Sequence, residues 1–259
     1  MISVGTALAA CTMAGSTNAA SGGTTGNVER ATTTTVRYSF DGIALLADVS
    51  GHGHDLSPVS RNDGSLTTIA HGTGRALAFP PPCKAEPCPR IALRAATAAD
   101  LNPDSQPLRY GASVRLAADD TTKGENVLQK GFSTQGSQFK LQIDGAAGHP
   151  SCVLVGNGSP QIYLAASTVG IADNRWHTLE CRRAGTRLAI RVDGVRRGTA
   201  VLPADLAVRN LIPFSVGGKG SFTDNDQFQG MLDDVWVKIG TAPVTPKASR
   251  TDSTPPRPN

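Results

Sequence analysis

Carboxylates, amides and imidazoles that could hold a metal or a ligand gather at three places in this chain. The stretch DVSGHGHD, residues 48–55, sets Asp48, His52, His54 and Asp55 among glycines that let backbone carbonyls turn inward. FTDNDQF, residues 222–228, puts Asp224, Asn225 and Asp226 in one loop, and LDDVWVKI, residues 232–239, carries Asp233 and Asp234 beside Trp236. Hard oxygens delivered by converging loops are what calcium requires. Each cluster also has a plainer use: Asp48 can cap a turn, Asp234 can face solvent, and an acid-rich loop is commonly a solvated turn that still offers oxygens to ligand hydroxyls. His52 and His54 could share a transition metal, but no third ligand lies near them in sequence, and a turn is the simpler assignment.

The inventory for bond-breaking is thin. The glutamates are Glu29, Glu86, Glu125 and Glu180, whereas a retaining glycosidase needs two carboxyl groups about 5 Å apart. No Gly-x-Ser-x-Gly elbow for a serine hydrolase occurs. The expectation is a binding protein without catalytic residues, with a cryptic polysaccharide hydrolase or lyase that uses Glu125 or Glu180 as the further alternative. Sugar recognition uses exposed aromatic faces beside hydrogen-bonding groups. Tyr38, Phe40 and Phe139 alternate with polar residues as core positions do, which leaves Trp236, Phe132, Phe222 and Phe228 for a surface. The predicted ligand-binding set is Trp236, Phe222, Asp224, Asn225 and Asp226.

The whole chain narrows the setting. Lys and Arg number 25 against 21 Asp and Glu, an excess spread along the 259 residues without a basic run interleaved with aromatics, so nucleic acid is not an expected partner. Of five cysteines, Cys83 and Cys88 lie in PPCKAEPCPR, Cys152 and Cys181 fall in separate strand-like runs, and Cys11 stands alone. Two disulfides, Cys83–Cys88 and Cys152–Cys181, with one cysteine left over, are expected, in an oxidising compartment. The first 28 residues lack Lys, Arg, Asp and Glu. Residues 1–19 read as a secretory signal, 20–35 as a flexible linker, 36–239 as the folded domain, and 240–259 as a Pro-rich disordered tail. Secretion is the expected fate; LAAC, Leu8 to Cys11, also looks like a bacterial lipobox, which would instead lipidate Cys11 and anchor the protein at the cell surface. No apolar run approaches the roughly 20 residues that span a bilayer.

The elements that must position these groups are strands. With 28 Gly and 17 Pro, the chain breaks into a dozen strand-like runs bounded by turn residues: TVRYSF (35–40), RALAF (75–79), RYGASVRLA (109–117), NVLQKG (126–131), FKLQID (139–144), then SCVLVG, QIYLAA, WHTLECRR, RLAIRV, VRRGTAV, PFSVGG and LDDVWVKI. Tyr110, Ala112, Val114 and Leu116 share one face of their strand; so do Phe139, Leu141 and Ile143, and Leu188, Ile190 and Val192. Asp193-Gly194 between two such runs predicts a type I′ hairpin. Residues 94–101 read as a loop or a single helical turn. The arginines at 182–183, 187, 191 and 196–197 are read first as the solvated face of a half-exposed sheet. Of Trp176 and His177, Trp176 is assigned to the core.

Taken in order, YSFDG (38–42), LADVSGHGHDL (46–56), GRALAF (74–79), SVRLAAD (113–119), NVLQKG (126–131), RWHTLECRRAGTRLAIRVDGVRRG (175–198) and FSVGG…FQGMLDDVWV (214–237) resemble a bacterial laminin-G-like domain of the concanavalin A-like lectin/glucanase superfamily. The resemblance implies an all-β, two-sheet antiparallel jelly-roll sandwich, often with a structural calcium, that binds glycans or proteins. In such sandwiches the first and last strands are neighbours, so Asp48, Asp234 and Asp41 are the expected Ca2+ ligands. The Glu-x-Asp-x-x-Glu strand of the superfamily's glucanases is absent. The partner expected is a carbohydrate or cell-surface polymer, with an envelope protein as the alternative.

Overall fold

Alternation decides which side chains meet. The computed structural model describes residues 34–121 and 124–240. The signal assignment, the linker up to residue 33, the tail from residue 241 and Cys11 lie outside the described residues; the folded domain begins earlier than expected, since Thr34 and Thr35, assigned to the linker, pair in β1. The strands are β1 (Thr34–Tyr38), β2 (Leu56–Arg61), β3 (Thr67–His71), β4 (Gly74–Ala78), β5 (Arg90–Ala95), β6 (Leu108–Arg115), β7 (Glu125–Gly131), β8 (Gln138–Asp144), β9 (His149–Val155), β10 (Ile162–Ala166), β11 (Trp176–Ala184), β12 (Arg187–Val192), β13 (Val195–Val201), β14 (Phe214–Val216) and β15 (Met231–Ile239). They form two antiparallel sheets. The first runs β13-β12-β11-β6-β15-β4-β3, with β1 added to β15; the second runs β10-β9-β8-β7-β14-β5-β2. This is the expected all-β sandwich, and its first and last strands pair, Thr34 opposite Ile239 through Tyr38 opposite Val235.

The inner faces hold the apolar sets read from the sequence. Tyr110, Val114, Leu188, Ile190 and Val237 of the first sheet meet Phe139, Leu141, Leu154, Phe214 and Val216 of the second, all at 1% exposure or less. Aromatic rings bridge the gap, Tyr110 to Phe139 at 5.2 Å and Tyr38 to Phe214 at 6.3 Å between centroids. Cys152 on β9 and Cys181 on β11 join across the same layer as a disulfide, so the two sheets are covalently fastened. Cys83 and Cys88 form the second disulfide, in the loop between β4 and β5.

Asp193 and Gly194 both take positive φ, 51° and 75°, as a type I′ turn demands. The Asp193 carboxylate accepts from the Thr178 N–H at 2.8 Å and bonds His177 Nδ1 at 2.8 Å, while His177 Nε2 meets Asp173 at 3.0 Å. Trp176, assigned to the core, lies on the outer side of β11 instead. Leu179, Cys181 and Arg183 take the inward positions, and Trp176 stacks on His71 with centroids 3.8 Å apart. Arg183 also departs from the solvated reading: it is 2% exposed and donates to the carbonyls of Asp104 and Leu206, at 2.9 and 2.5 Å.

Three strands were not among the dozen expected. β2 contains Pro58 and is the edge of the second sheet, β3 is the edge of the first, and β5 is an Ala-rich run beside β2. Residues 94–101 split between the end of β5 and a 3-10 turn at Ala99–Leu101.

Two outcomes follow. Replacing both Cys152 and Cys181 by alanine frees a 29-residue separation and should cost about 3.5 kcal/mol on the chain-entropy relation, checked by urea denaturation. For His177, burial alone would lower its pKa, but the Asp193 and Asp173 carboxylates outweigh that and raise it above 6.5. The stabilisation it contributes is therefore full below pH 6.5 and fades as pH climbs through the raised value. Comparing unfolding free energies of the wild type and His177→Gln across that range should show the gap closing at high pH.

Candidate functional site

The outward side of β8 is polar where its inward side is apolar: Gln138, Lys140, Gln142 and Asp144 alternate with Phe139, Leu141 and Ile143. An internal strand with a polar outer face would normally be solvated. Here the segment joining β14 to β15, residues 217–230, folds over it. Gly217 makes the entry possible, because its φ is +74° and a Cβ there would fall 1.9 Å from the Phe79 ring. Two buried amides shape the loop. Asn225 Oδ1 accepts the Gly220 N–H at 2.9 Å, and Asn225 Nδ2 donates to Gln227 Oε1 at 3.0 Å. Gln227 Oε1 also accepts the Ile91 N–H at 2.7 Å, tying the loop to β5. Phe228, one of the aromatics left for a surface, is buried at 0% exposure edge-on to Phe79.

Between loop and sheet runs a groove of two adjoining pockets, about 530 and 570 Å³, that share Lys140, Gln142, Asp224 and Asp226. One end is bounded by Phe132, Phe222, Ile162 and Leu164. The other reaches Arg90, Asp144, Gln227 and Gln229. Phe222 remains 49% exposed and meets Phe132 edge-on at 6.4 Å between centroids. At the centre Asp226 accepts from Lys140 at 2.9 Å and from Lys219 at 3.0 Å, while Asp224 stands in solvent 3.6 Å from Lys219. Two lysines against two aspartates leave the groove without net charge at its centre. Its walls carry amides, ammoniums and carboxylates beside an apolar edge, with Gln138 Nε2 donating to the Gly131 carbonyl at 3.0 Å and Gln142 Nε2 to Asp144 at 2.8 Å.

Of the predicted ligand set, the structure brings Phe222, Asp224 and Asp226 together on this groove and uses Asn225 as the amide that holds the loop. Trp236 is not with them. It lies on the outer side of β15 in the other sheet, opposite Arg37 and Gly111, because its neighbours Val235 and Val237 face the core. The sequence reading missed Gln138, Lys140, Gln142 and Lys219; the alternation along β8 contained the signal, but only the covering loop makes those residues a site.

The expected calcium ligands lie near one another along β1 and β15 but do not form a cation cage. Asp48 Oδ1 accepts the N–H groups of Arg37 and Ser50 and the Ser50 hydroxyl at 3.1, 3.0 and 2.6 Å, and Oδ2 accepts the His54 N–H at 3.2 Å. Burial alone would raise the Asp48 carboxyl, but these donors outweigh it and hold the pKa below the usual carboxylate value. Asp41 accepts the Arg75 N–H at 2.8 Å, and Asp234 pairs with Arg37 at 2.7 Å. Oxygens that already receive N–H and O–H donors do not fit a cation that needs six or more oxygens turned toward it. Among the described residues no three His, Cys, Asp or Glu side chains converge as a metal site would require. His54 instead meets Asp100 at 2.9 Å, and His52 the Ser50 hydroxyl at 3.1 Å. Glu86 binds Arg90 at 2.8 Å, Glu180 binds Arg109 at 3.0 Å, and Glu125 accepts the Gln229 N–H at 3.2 Å, so these three lie on separate elements and form no carboxylate pair.

These features sit on a recognisable scaffold. The chain belongs to the concanavalin A-like lectin/glucanases superfamily, whose laminin-G model matches residues 95–238, more than half its length. No curated protein matches it. Among solved structures it is similar to domain 4 of AbnA, an extracellular arabinanase of Geobacillus stearothermophilus solved with arabinotriose, at 18% identity and TM-score 0.61, covering 82% of this chain and 94% of that one. The binding domain of Paraclostridial Mosquitocidal Protein 1 is similar at 12% identity and TM-score 0.61, covering 80% and 48%. The receptor binding domain of botulinum neurotoxin D is similar at 12% identity and TM-score 0.55, covering 79% and 48%. This chain thus spans about half the length of the toxin binding domains. At these identities the likeness is one of fold.

Two measurements check this geometry. A chelator should leave the melting temperature unmoved, since among the described residues no carboxylate set is waiting for a cation; a calcium-dependent rise of several degrees would contradict this. Asp226→Asn leaves Lys140, whose side chain is 9% exposed, without its carboxylate partner, and should lower stability by about 2 kcal/mol, with faster proteolysis within residues 217–230.

Proposed function

We propose that this protein is a secreted, non-catalytic carbohydrate-binding module whose second-sheet groove takes an uncharged oligosaccharide. The observation that carries the reading is the composition of that groove. Gln138, Gln142, Lys140 and Asp226 converge as hydrogen-bonding groups of both kinds, while Phe222 and Phe132 give an apolar edge for a sugar face. The balance of Lys140 and Lys219 against Asp224 and Asp226 favours hydroxyls over an acidic ligand. The superfamily and the arabinotriose-bound relative support a glycan, and the two disulfides support an oxidising, extracellular setting. In this reading the groove's carboxylates serve binding: Asp226 is held between Lys140 and Lys219, and Asp224 lies beside Lys219.

The test is calorimetry against a panel of neutral oligosaccharides, arabino-oligosaccharides included. Phe222→Ala should weaken binding about tenfold and Gln142→Ala by a similar factor, with melting temperatures unchanged. Trp236→Ala should leave this binding intact. Silence across the panel, or full affinity in both groove variants, would overturn the proposal; panel silence with retention of an envelope polypeptide would favour the protein-binding alternative.

A further inference from the structure

The groove uses none of the arginines that cluster in the sequence, and those arginines lie on the opposite sheet. On its outer side the register places Lys238, Arg109 and Arg182 on three successive strands, β15, β6 and β11. Arg191 stands opposite Arg196 on the next two, and Arg37 joins from β1 opposite Trp236. Residues far apart in sequence thus make one cationic band. Two acids lie within it, and both are engaged: Asp234 with Arg37 at 2.7 Å and Glu180 with Arg109 at 3.0 Å. Asp233 and Asp41 also act on Arg37 from the border of the band, so the charge left without an acid partner is that of Arg182, Arg191, Arg196 and Lys238. None of these four has a carboxylate at ion-pair distance among the described residues.

The band also holds a receptacle. The Arg109 guanidinium and the Lys238 ammonium stand 5.6 and 5.9 Å from the centre of the Trp236 ring. That ring covers Gly111, where a Cβ would meet the Leu179 carbonyl oxygen at 2.2 Å and a ring carbon at 3.0 Å, so only glycine fits between the neighbouring strand and the ring. Trp236, Arg37, Arg109, Lys238, Ser50 and His52 border a cavity of about 730 Å³.

We propose that this face docks an acidic polysaccharide, laid across the strands with its carboxylate or sulfate groups on the cation row and one sugar ring in the Trp236 cavity. The argument is charge and spacing together. Successive strands stand about 4.8 Å apart, close to the length of one sugar residue, so an acid on each residue or each second residue meets a cation in register. Duplex nucleic acid presents a charge about every 1.7 Å of axis, and a single strand needs a series of free stacking rings, whereas of the two tryptophans on this face Trp176 is already stacked on His71 and Trp236 alone stands among the cations. The two sheets then carry separate sites, a neutral groove and a cationic face, and the second stands or falls independently of the first.

The test uses the whole chain with oligogalacturonate and dextran sulfate as probes, and uncharged dextran as control, in about 20 mM salt, where screening is weak. The wild type should bind at least one acidic polymer and not dextran, and lose that binding as salt rises. The Arg182→Gln, Arg191→Gln, Arg196→Gln triple variant should bind about tenfold more weakly or worse with an unchanged melting temperature. Phe222→Ala should bind the acidic polymer as the wild type does. Equal affinity in the triple variant, absence of binding to both acidic polymers, or equally tight binding of a DNA duplex or of anionic phospholipid vesicles would overturn the proposal.

Discussion

The contact on which everything else rests is the apolar layer between the two sheets, closed by the Cys152–Cys181 bridge. Alternation commits every second residue of β6, β8, β9, β11 and β12 to that layer, and the remaining residues must then face outward. Burial within it is nearly complete, as Tyr110, Phe139, Leu141, Cys152 and Cys181 show at 0% exposure. Large-to-small changes there would cost several kcal/mol each, which fixes strand register and, with it, the identity of every outward residue. The groove and the cationic band are in that sense by-products of the core: Lys140 faces out because Phe139 and Leu141 face in, and Arg182 because Cys181 and Arg183 do.

What differs between the two outer faces is what covers them. On the second sheet the loop of residues 217–230 lies over β8, walls a groove, and draws Lys140 and Gln138 below 8% exposure. Lys140 tolerates that burial because Asp226 stands 2.9 Å from its ammonium; an uncompensated ammonium would not. On the first sheet, among the described residues, the loop of Ser50 and His52 borders the Trp236 cavity, and Arg182 and Arg196 stay exposed. A neutral, walled cleft and an open, positively charged sheet suit different ligands, and the sandwich presents them on opposite sides.

Much of the fold was legible because its signals are local. The Leu188, Ile190, Val192 alternation and the Asp193-Gly194 turn set a hairpin without reference to anything distant. The cysteine pairs were readable from which runs held them. The edge strands were not: Pro58 in β2 and the alanines of β5 carry little strand preference, and only pairing with neighbours orders them. The site was half legible. Phe222, Asp224 and Asp226 share a loop and could be grouped from sequence, but Trp236 was grouped with them wrongly, because which sheet a strand joins is a long-range fact. The calcium expectation failed to find a cage for a related reason. Carboxylates can be counted in a sequence, whereas the Arg37, Ser50 and His54 donors that take up the Asp48 oxygens come together only in the fold.

The central claim is that ligand recognition of neutral sugar belongs to the outer side of β8 and the loop above it. Amide chemical-shift mapping of the ¹⁵N-labelled chain, titrated with a binding neutral oligosaccharide, tests it directly. The account predicts shifts along Gln138 to Gln142 and Lys219 to Asp226, with β15 around Trp236 silent. Shifts centred on Trp236 or on the loop of residues 48–55, with β8 unmoved, would contradict it.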